Sequence, residues 1–165
     1  MNYYIITDTH FGHKKMLEYC GRPENFEDII KNNIRNIITQ NDILIHLGDV
    51  CIGNDKKHNN FFGNIGYKTI LVKGNHDKKS TTWYMNNGWD FVCDRFDLVL
   101  GGKRISFSHK PIEYDGMFDV NIHGHFHNSD YRKYEESLAS VLTEKHKLLA
   151  LEYVDYRPIN LLKLI

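Results

Sequence analysis

The sequence predicts an α/β fold of two packed, mixed β-sheets flanked by helices, in one domain spanning residues 1–165. Three observations lead there. The first half alternates short apolar runs with segments of helical periodicity, and the second half is richer in hairpin signals. Every cluster of ligand-type polar residues also follows directly on an apolar strand. Loops at the C-terminal edge of an α/β sheet converge in space, so residues far apart in sequence can share one pocket.

The elements follow in order. Tyr3–Thr7 is an apolar strand ending at Asp8, with Thr9 and His10 in the loop beyond it. Phe26, Ile29, Ile30, Ile34, Ile37 and Ile38 recur at helical spacing, with Asn25 placed to cap the helix. Ile43–Leu47 is a second strand, ending at Gly48-Asp49, and Lys68–Lys73 a third, ending at Gly74-Asn75-His76-Asp77. A helix is expected over Lys78–Asn87, stopped by Gly88. Asp97–Leu100 and Arg104–Phe107 flank Gly101-Gly102 as a hairpin, and the second strand runs into Ser108-His109. Val120–Ile122 leads into His123-Gly124-His125-Phe126-His127. Tyr131, Tyr134, Leu138, Val141 and Leu142 suggest a further helix, and Leu148–Val154 a last strand.

Composition sets the outer bounds. The 165 residues suffice to bury a core, and 41% apolar with 25% charged residues is ordinary for a globular chain. Lys plus Arg equals Asp plus Glu at 21 each, so the basic footprint of a dedicated binder of long nucleic acid is missing overall. The sequence lacks a run of about 18 apolar residues, so no membrane span is expected, and the N-terminus does not read as a signal peptide. Cys20, Cys51 and Cys93 are odd in number and widely spaced, which suits free thiols in a reducing compartment, and the cytoplasm is the expected location. The unusual feature is ten histidines.

Asp8 and His10 lie two apart, so in an extended segment both side chains point the same way; His125 and His127 repeat the spacing. With Asp49, Asn75 and His109 they offer carboxylate, imidazole and amide ligands and no thiolate. Such a mixed set suits Mn, Fe, Zn or Ni better than Ca or Mg. Seven ligands exceed the needs of one tetrahedral ion, and two divalent ions sharing a carboxylate is the economical arrangement. Ions roughly 3.5–4 Å apart can activate a hydroxide and clamp a phosphoryl group for in-line attack. His76 is then the natural proton donor to the leaving oxygen, with Asp77 to orient it.

The ordered series Asp8-Thr9-His10, Gly48-Asp49, Gly74-Asn75-His76-Asp77, His109 and Gly124-His125-Phe126-His127 resembles the signature of the calcineurin-like metallophosphoesterase superfamily. The resemblance implies a β-sandwich flanked by helices. It implies that Asp8, His10 and His127 bind one metal, that Asn75, His109 and His125 bind the other, and that Asp49 bridges them. His76 would be the acid near the leaving group. Thr9-His10-Phe11-Gly12-His13 followed by Cys20-Gly21-Arg22-Pro23 is similar to a subgroup of small bacterial and viral members.

Outside that set the residues admit two readings. Arg22 could meet a phosphate through its guanidinium fork, or be a surface arginine before a proline turn. His13 could reach substrate or make a local hydrogen bond, and Lys110 is equally ambiguous. Tyr114, Phe118 and Phe126 could stack on a base, although core packing is the commoner fate of aromatic residues. His46 and His123 read as structural, His58 and His146 as solvated. The leading function is hydrolysis of a small phosphodiester or phosphomonoester, with a nucleotide or cyclic nucleotide as candidate. A metal-dependent nuclease, a protein phosphatase, and a non-catalytic interaction module such as the superfamily's retromer subunit are the alternatives.

Overall fold

A computed structural model describes residues 1–129 and 136–165. Five short parallel or antiparallel strands make the first sheet: β1 (Tyr3–Ile6), β2 (Ile43–His46), β3 (Lys68–Val72), β4 (Phe91–Cys93) and, near the C-terminus, β9 (Ile159–Asn160). Their order across the sheet is β4-β3-β2-β1-β9, with only the β9 pairing antiparallel. The second sheet is β5-β6-β7-β8, formed by Arg95–Leu100, Lys103–Ser108, Val120–His123 and His146–Leu148. β5 and β6 form the expected hairpin, but β6 pairs β7 and β7 pairs β8 in parallel, so hairpins do not dominate the second half. Both sheets are mixed, and helices flank the pair: the predicted class holds.

Alternation along each strand builds two cores. Ile5, Ile45 and Val72 face Ile105, Phe107 and Ile122 between the sheets. Ile6, Leu44 and Leu71 face outward onto α2 (Phe26–Ile37), which presents Phe26, Ile30 and Ile34 at helical spacing. Asn25 does occupy the N-cap position of α2, yet its side chain makes no capping hydrogen bond.

Several local expectations are revised. Two helices went unpredicted, α1 (Met16–Cys20) and α3 (Asp55–Gly63), and the helix expected over Lys78–Asn87 is the shorter α4 (Thr81–Met85), capped by the Ser80 hydroxyl. Leu148–Val154 is not a strand: the strand ends at Leu148, and Leu151–Tyr153 is a 3₁₀ turn. Of the helix expected around residue 138, α5 covers Glu136–Ala139, while Tyr131 and Tyr134 lie outside the described residues. His58 is buried with its ring 5.8 Å from that of Phe11, and His146 is half-buried with Nε2 2.7 Å from the Ile112 carbonyl, so neither is a solvated surface residue. Phe118 and Phe126 are core residues.

The parallel order matters for function. β1, β2 and β3 run the same way, as do β6 and β7, and each ends just before a ligand-type cluster. The clusters therefore emerge along one rim where the two sheets meet.

Candidate metal centre

Two groups of side chains gather at this rim, Asp8 with His10 and His127, and Asp49 with His109 and His125. Asp49 stands between them. Its Oδ2 lies 3.7 Å from His10 Nε2, 3.4 Å from His109 Nε2 and 3.8 Å from His76 Nε2. Asp8 Oδ1 faces His10 Nε2 at 3.7 Å and His127 Nε2 at 3.5 Å. Asn75 Oδ1 sits 3.0 Å from His109 Nε2, and His125 Nδ1 lies 3.2 Å from that same nitrogen. All seven residues named from the sequence as ligands therefore converge.

The backbone reaches this arrangement through conformations that L-residues rarely adopt. Asp8, His10, Asp49, His125 and His127 all have φ between 46° and 71°. That is the left-handed region, and each such residue costs on the order of 1–3 kcal/mol. The expectation of extended segments is thus corrected: Asp8 and His10 reach the same cluster from left-handed backbones, not along a strand. The adjoining glycines answer to close approach. A Cβ on Gly74 would meet the Asp49 carboxylate, and one on Gly124 would meet both Thr7 and the Asp8 carboxylate.

Each carboxylate spends one oxygen on the scaffold and leaves the other bare. Asp8 Oδ2 accepts from the Thr7 hydroxyl at 2.7 Å and from the His125 N–H at 3.0 Å. Asp49 Oδ1 accepts from the His76 N–H at 2.8 Å. Asp8 Oδ1, Asp49 Oδ2 and both ring nitrogens of His10 are buried without a hydrogen-bond partner among the described residues. Buried polar atoms are seldom left so, because each orphan costs about 1–3 kcal/mol or more. Bare carboxylate oxygens among imidazole nitrogens are the donor set of a divalent transition ion, so the residues present fit such a group.

Electrostatics agree with that pattern. Burial would raise the Asp8 carboxyl, but the His127, His10 and His109 rings outweigh it and hold it well below the usual carboxylate range. Asp49 is likewise lowered against its burial, chiefly by His109. Burial pushes His10 down to about 4. His127 is lifted against its burial to about 10, by Asp8, Cys20 and Glu152.

Two candidates behave differently from expectation. Arg22 does not face a substrate: its side chain is fully buried, donating from Nη2 to the Asp8 carbonyl at 2.8 Å and from Nη1 to the Thr9 carbonyl at 3.1 Å, and pairing with Glu152 at 2.7 Å. Asp77 does not orient the His76 ring. Its carboxylate accepts from the N–H groups of Asp49, Val50 and Gly74, at 2.8, 3.2 and 2.8 Å, and so locks two loops together. His46, read as structural, is held by the Thr9 hydroxyl at 2.9 Å and the Gly48 N–H at 3.0 Å.

A pocket of about 380 Å³ opens beside the centre, lined by His10, His13, His76 and His127 together with Met16, Tyr19 and Cys20. Glu152 is the functional neighbour that sequence reasoning missed. It lies beyond the last motif, and nothing in its local spacing marks it.

Known proteins share this architecture. A crystal structure of an Aquifex aeolicus protein of unknown function superposes with a TM-score of 0.74 at 26% identity, over 99% of each chain. An uncharacterized protein of Methanocaldococcus jannaschii is 27% identical over 96% of this chain and 86% of its own length. The Escherichia coli phosphoesterase Yfce shares the fold, with a TM-score of 0.51 at 18% identity, over 77% of this chain and 70% of its own. The sequence profile of the calcineurin-like phosphoesterases matches residues 1–151, a span that holds every one of the clusters, and the chain belongs to that family.

Proposed function

We propose that the chain is a phosphoesterase that uses two divalent ions to hydrolyse a small phosphodiester or phosphomonoester. The observation that carries this reading is the pair of bare, buried carboxylate oxygens, Asp8 Oδ1 and Asp49 Oδ2, each ringed by imidazole nitrogens. Asp8, His10 and His127 would hold one ion, Asn75, His109 and His125 the other, and Asp49 both. When bound, the ions supply Lewis acidity that makes water nucleophilic near neutral pH and offsets charge on phosphoryl oxygens.

The chain's own residues do the rest. His76 is a half-exposed imidazole at the pocket wall, its backbone N–H fixed by Asp49 Oδ1. From there it can place a proton on the leaving oxygen, the group that departs worst without one. His13, on the same pocket, is placed to contact substrate; its ring centroid is 6.5 Å from that of His76. The pocket's modest volume and the chain's balanced net charge favour a small substrate over long nucleic acid.

The direct test is hydrolysis of paired chromogenic monoester and diester substrates by metal-free protein resupplied separately with Mn²⁺, Ni²⁺ or Zn²⁺. Turnover that follows added metal is the expected result, and the preferred ester decides between phosphatase and phosphodiesterase. Two bound ions with no hydrolysis of either ester, or of any nucleotide, would overturn the reading.

A further inference from the structure

On the far side of His127 from Asp8, the carboxylate of Glu152 lies against the imidazole, with Oε1 3.3 Å from Nδ1. Arg22 donates to that same oxygen from Nε at 2.8 Å and approaches it from Nη2 at 2.7 Å. Its remaining donor capacity goes to the Asp8 and Thr9 carbonyls, at 2.8 and 3.1 Å. One buried guanidinium therefore ties the carboxylate behind His127 to the loop that carries Asp8 and His10.

We propose that Arg22 and Glu152 are a positioning pair that sets all three side chains of one metal site: Glu152 fixes the tautomer of His127, and Arg22 fixes the loop of Asp8 and His10. The inference rests on the reading that these three residues ligate an ion. The chemistry is specific. Glu152 Oε1 is an acceptor, so when a metal displaces the Nε2 proton His127 keeps its proton on Nδ1 and offers Nε2, on the Asp8 side, as the ligand. A carboxylate behind a histidine both aims the ring and raises its basicity toward a metal. Only an arginine presents enough donors in one plane to serve a carboxylate and two carbonyls together. Cys20 adjoins His127 and Glu152, which raises the alternative that this trio is itself a cation site. The Arg22 charge, 2.7 Å from the carboxylate, argues against a cation there.

The experiment is a Mn²⁺ titration of the full chain after chelation, read by calorimetry and electron paramagnetic resonance, for wild type, Glu152→Gln and Arg22→Lys. The wild type is expected to take two ions and show a spin-coupled pair. Glu152→Gln, which takes the charge partner from a buried guanidinium, should melt lower than wild type in chelator, fill one position normally and bind the second ion about 10–100-fold more weakly. Its coupled spectrum should return only at excess metal. Arg22→Lys should weaken the same position. Unchanged affinities in both variants would overturn the pair, as would a third wild-type ion that Glu152→Gln removes. Fewer than two ions in the wild type would instead strike at the two-metal reading beneath it. Nitrogen-15 spectra of the Zn²⁺-loaded wild type need no variant. They should show His127 protonated at Nδ1 with metal at Nε2, and the reverse assignment would defeat the inference even if both variants failed to fold.

Discussion

Asp49 divides its two oxygens between structure and chemistry, with Oδ1 on the His76 N–H and Oδ2 facing the rings of His10, His76 and His109. Asp49→Asn keeps the shape and removes the shared negative charge, so it should weaken both ions rather than one. We expect at least tenfold lower affinity at each position, read by metal titration; loss confined to one ion would contradict the bridging role. His76→Ala acts at a different point, since its ring belongs to neither ligand cluster and approaches Asp49 Oδ2 only at 3.8 Å. It should retain both ions and lose about 10²–10⁴ in turnover, the usual worth of a positioned acid. The loss should be steepest for esters with poor leaving groups. Equal losses across a leaving-group series would show that His76 does something other than donate a proton.

At the level of elements, the rim is assembled by short strands whose ends must be registered to within one residue. Asp42 performs that service for β1 and β2. Its carboxylate accepts from the Asn2 N–H and side-chain amide, at 2.9 and 3.0 Å, and from the Thr39 N–H and hydroxyl, at 3.1 and 2.7 Å. The Thr39 hydroxyl, helped by these amides, holds Asp42 down at about 2. A lowered carboxyl stabilises the fold above its unfolded value near 4 and loses that contribution as pH falls toward 2. Asp42→Ala should therefore cost about 1–3 kcal/mol at pH 7, and the gap between mutant and parent should close on acidification to about pH 2, measured by denaturant unfolding. Elements of this kind were unevenly legible in the sequence. The strands before Asp8, Asp49, Asn75 and His125 announced themselves by apolar runs, and α2 by its isoleucine spacing. α3 did not, because Asp55–Gly63 is polar through most of its length and is held by the Asn54 cap and by Phe62 packing on Trp89 at 4.5 Å. Arg22 and Glu152 were illegible as partners because 130 residues separate them, and only the fold brings them together.

Across the whole molecule, the centre concentrates buried charge that the surrounding protein cannot neutralise unaided. His127, held at about 10, carries its second ring proton at neutral pH in the metal-free chain, and Asp49 and Asp8 shift His109 toward its protonated form against its burial. Ligating nitrogens must give up such protons, so metal uptake should release protons and weaken as pH falls. Calorimetry in two buffers of different ionisation enthalpy measures the number released; identical heats in both would refute it. Ligand linkage then predicts stabilisation by about 2.7 kcal/mol for each bound ion at a hundredfold excess over its Kd. For a chain of this size that is a melting shift on the order of 5–10 °C, reversed by chelator. No described helix is long and apolar enough to cross a membrane.

The left-handed ligands carry a consequence for how the sequence can drift. His10 combines a φ of 46° with two ring nitrogens that lack a hydrogen-bond partner among the described residues, so it burdens the fold twice while serving the proposed metal site. His10→Gly removes both burdens and opens onto the existing pocket, where water can fill the gap. In chelator the variant should melt above the parent, and with metal below it, as followed by calorimetric scans; a lower melting point in chelator would contradict this. Decay of the centre is then thermodynamically downhill. A lineage that stopped needing the chemistry would gain stability by erasing it, so an intact set of strained ligands records a demand that stability alone would never impose.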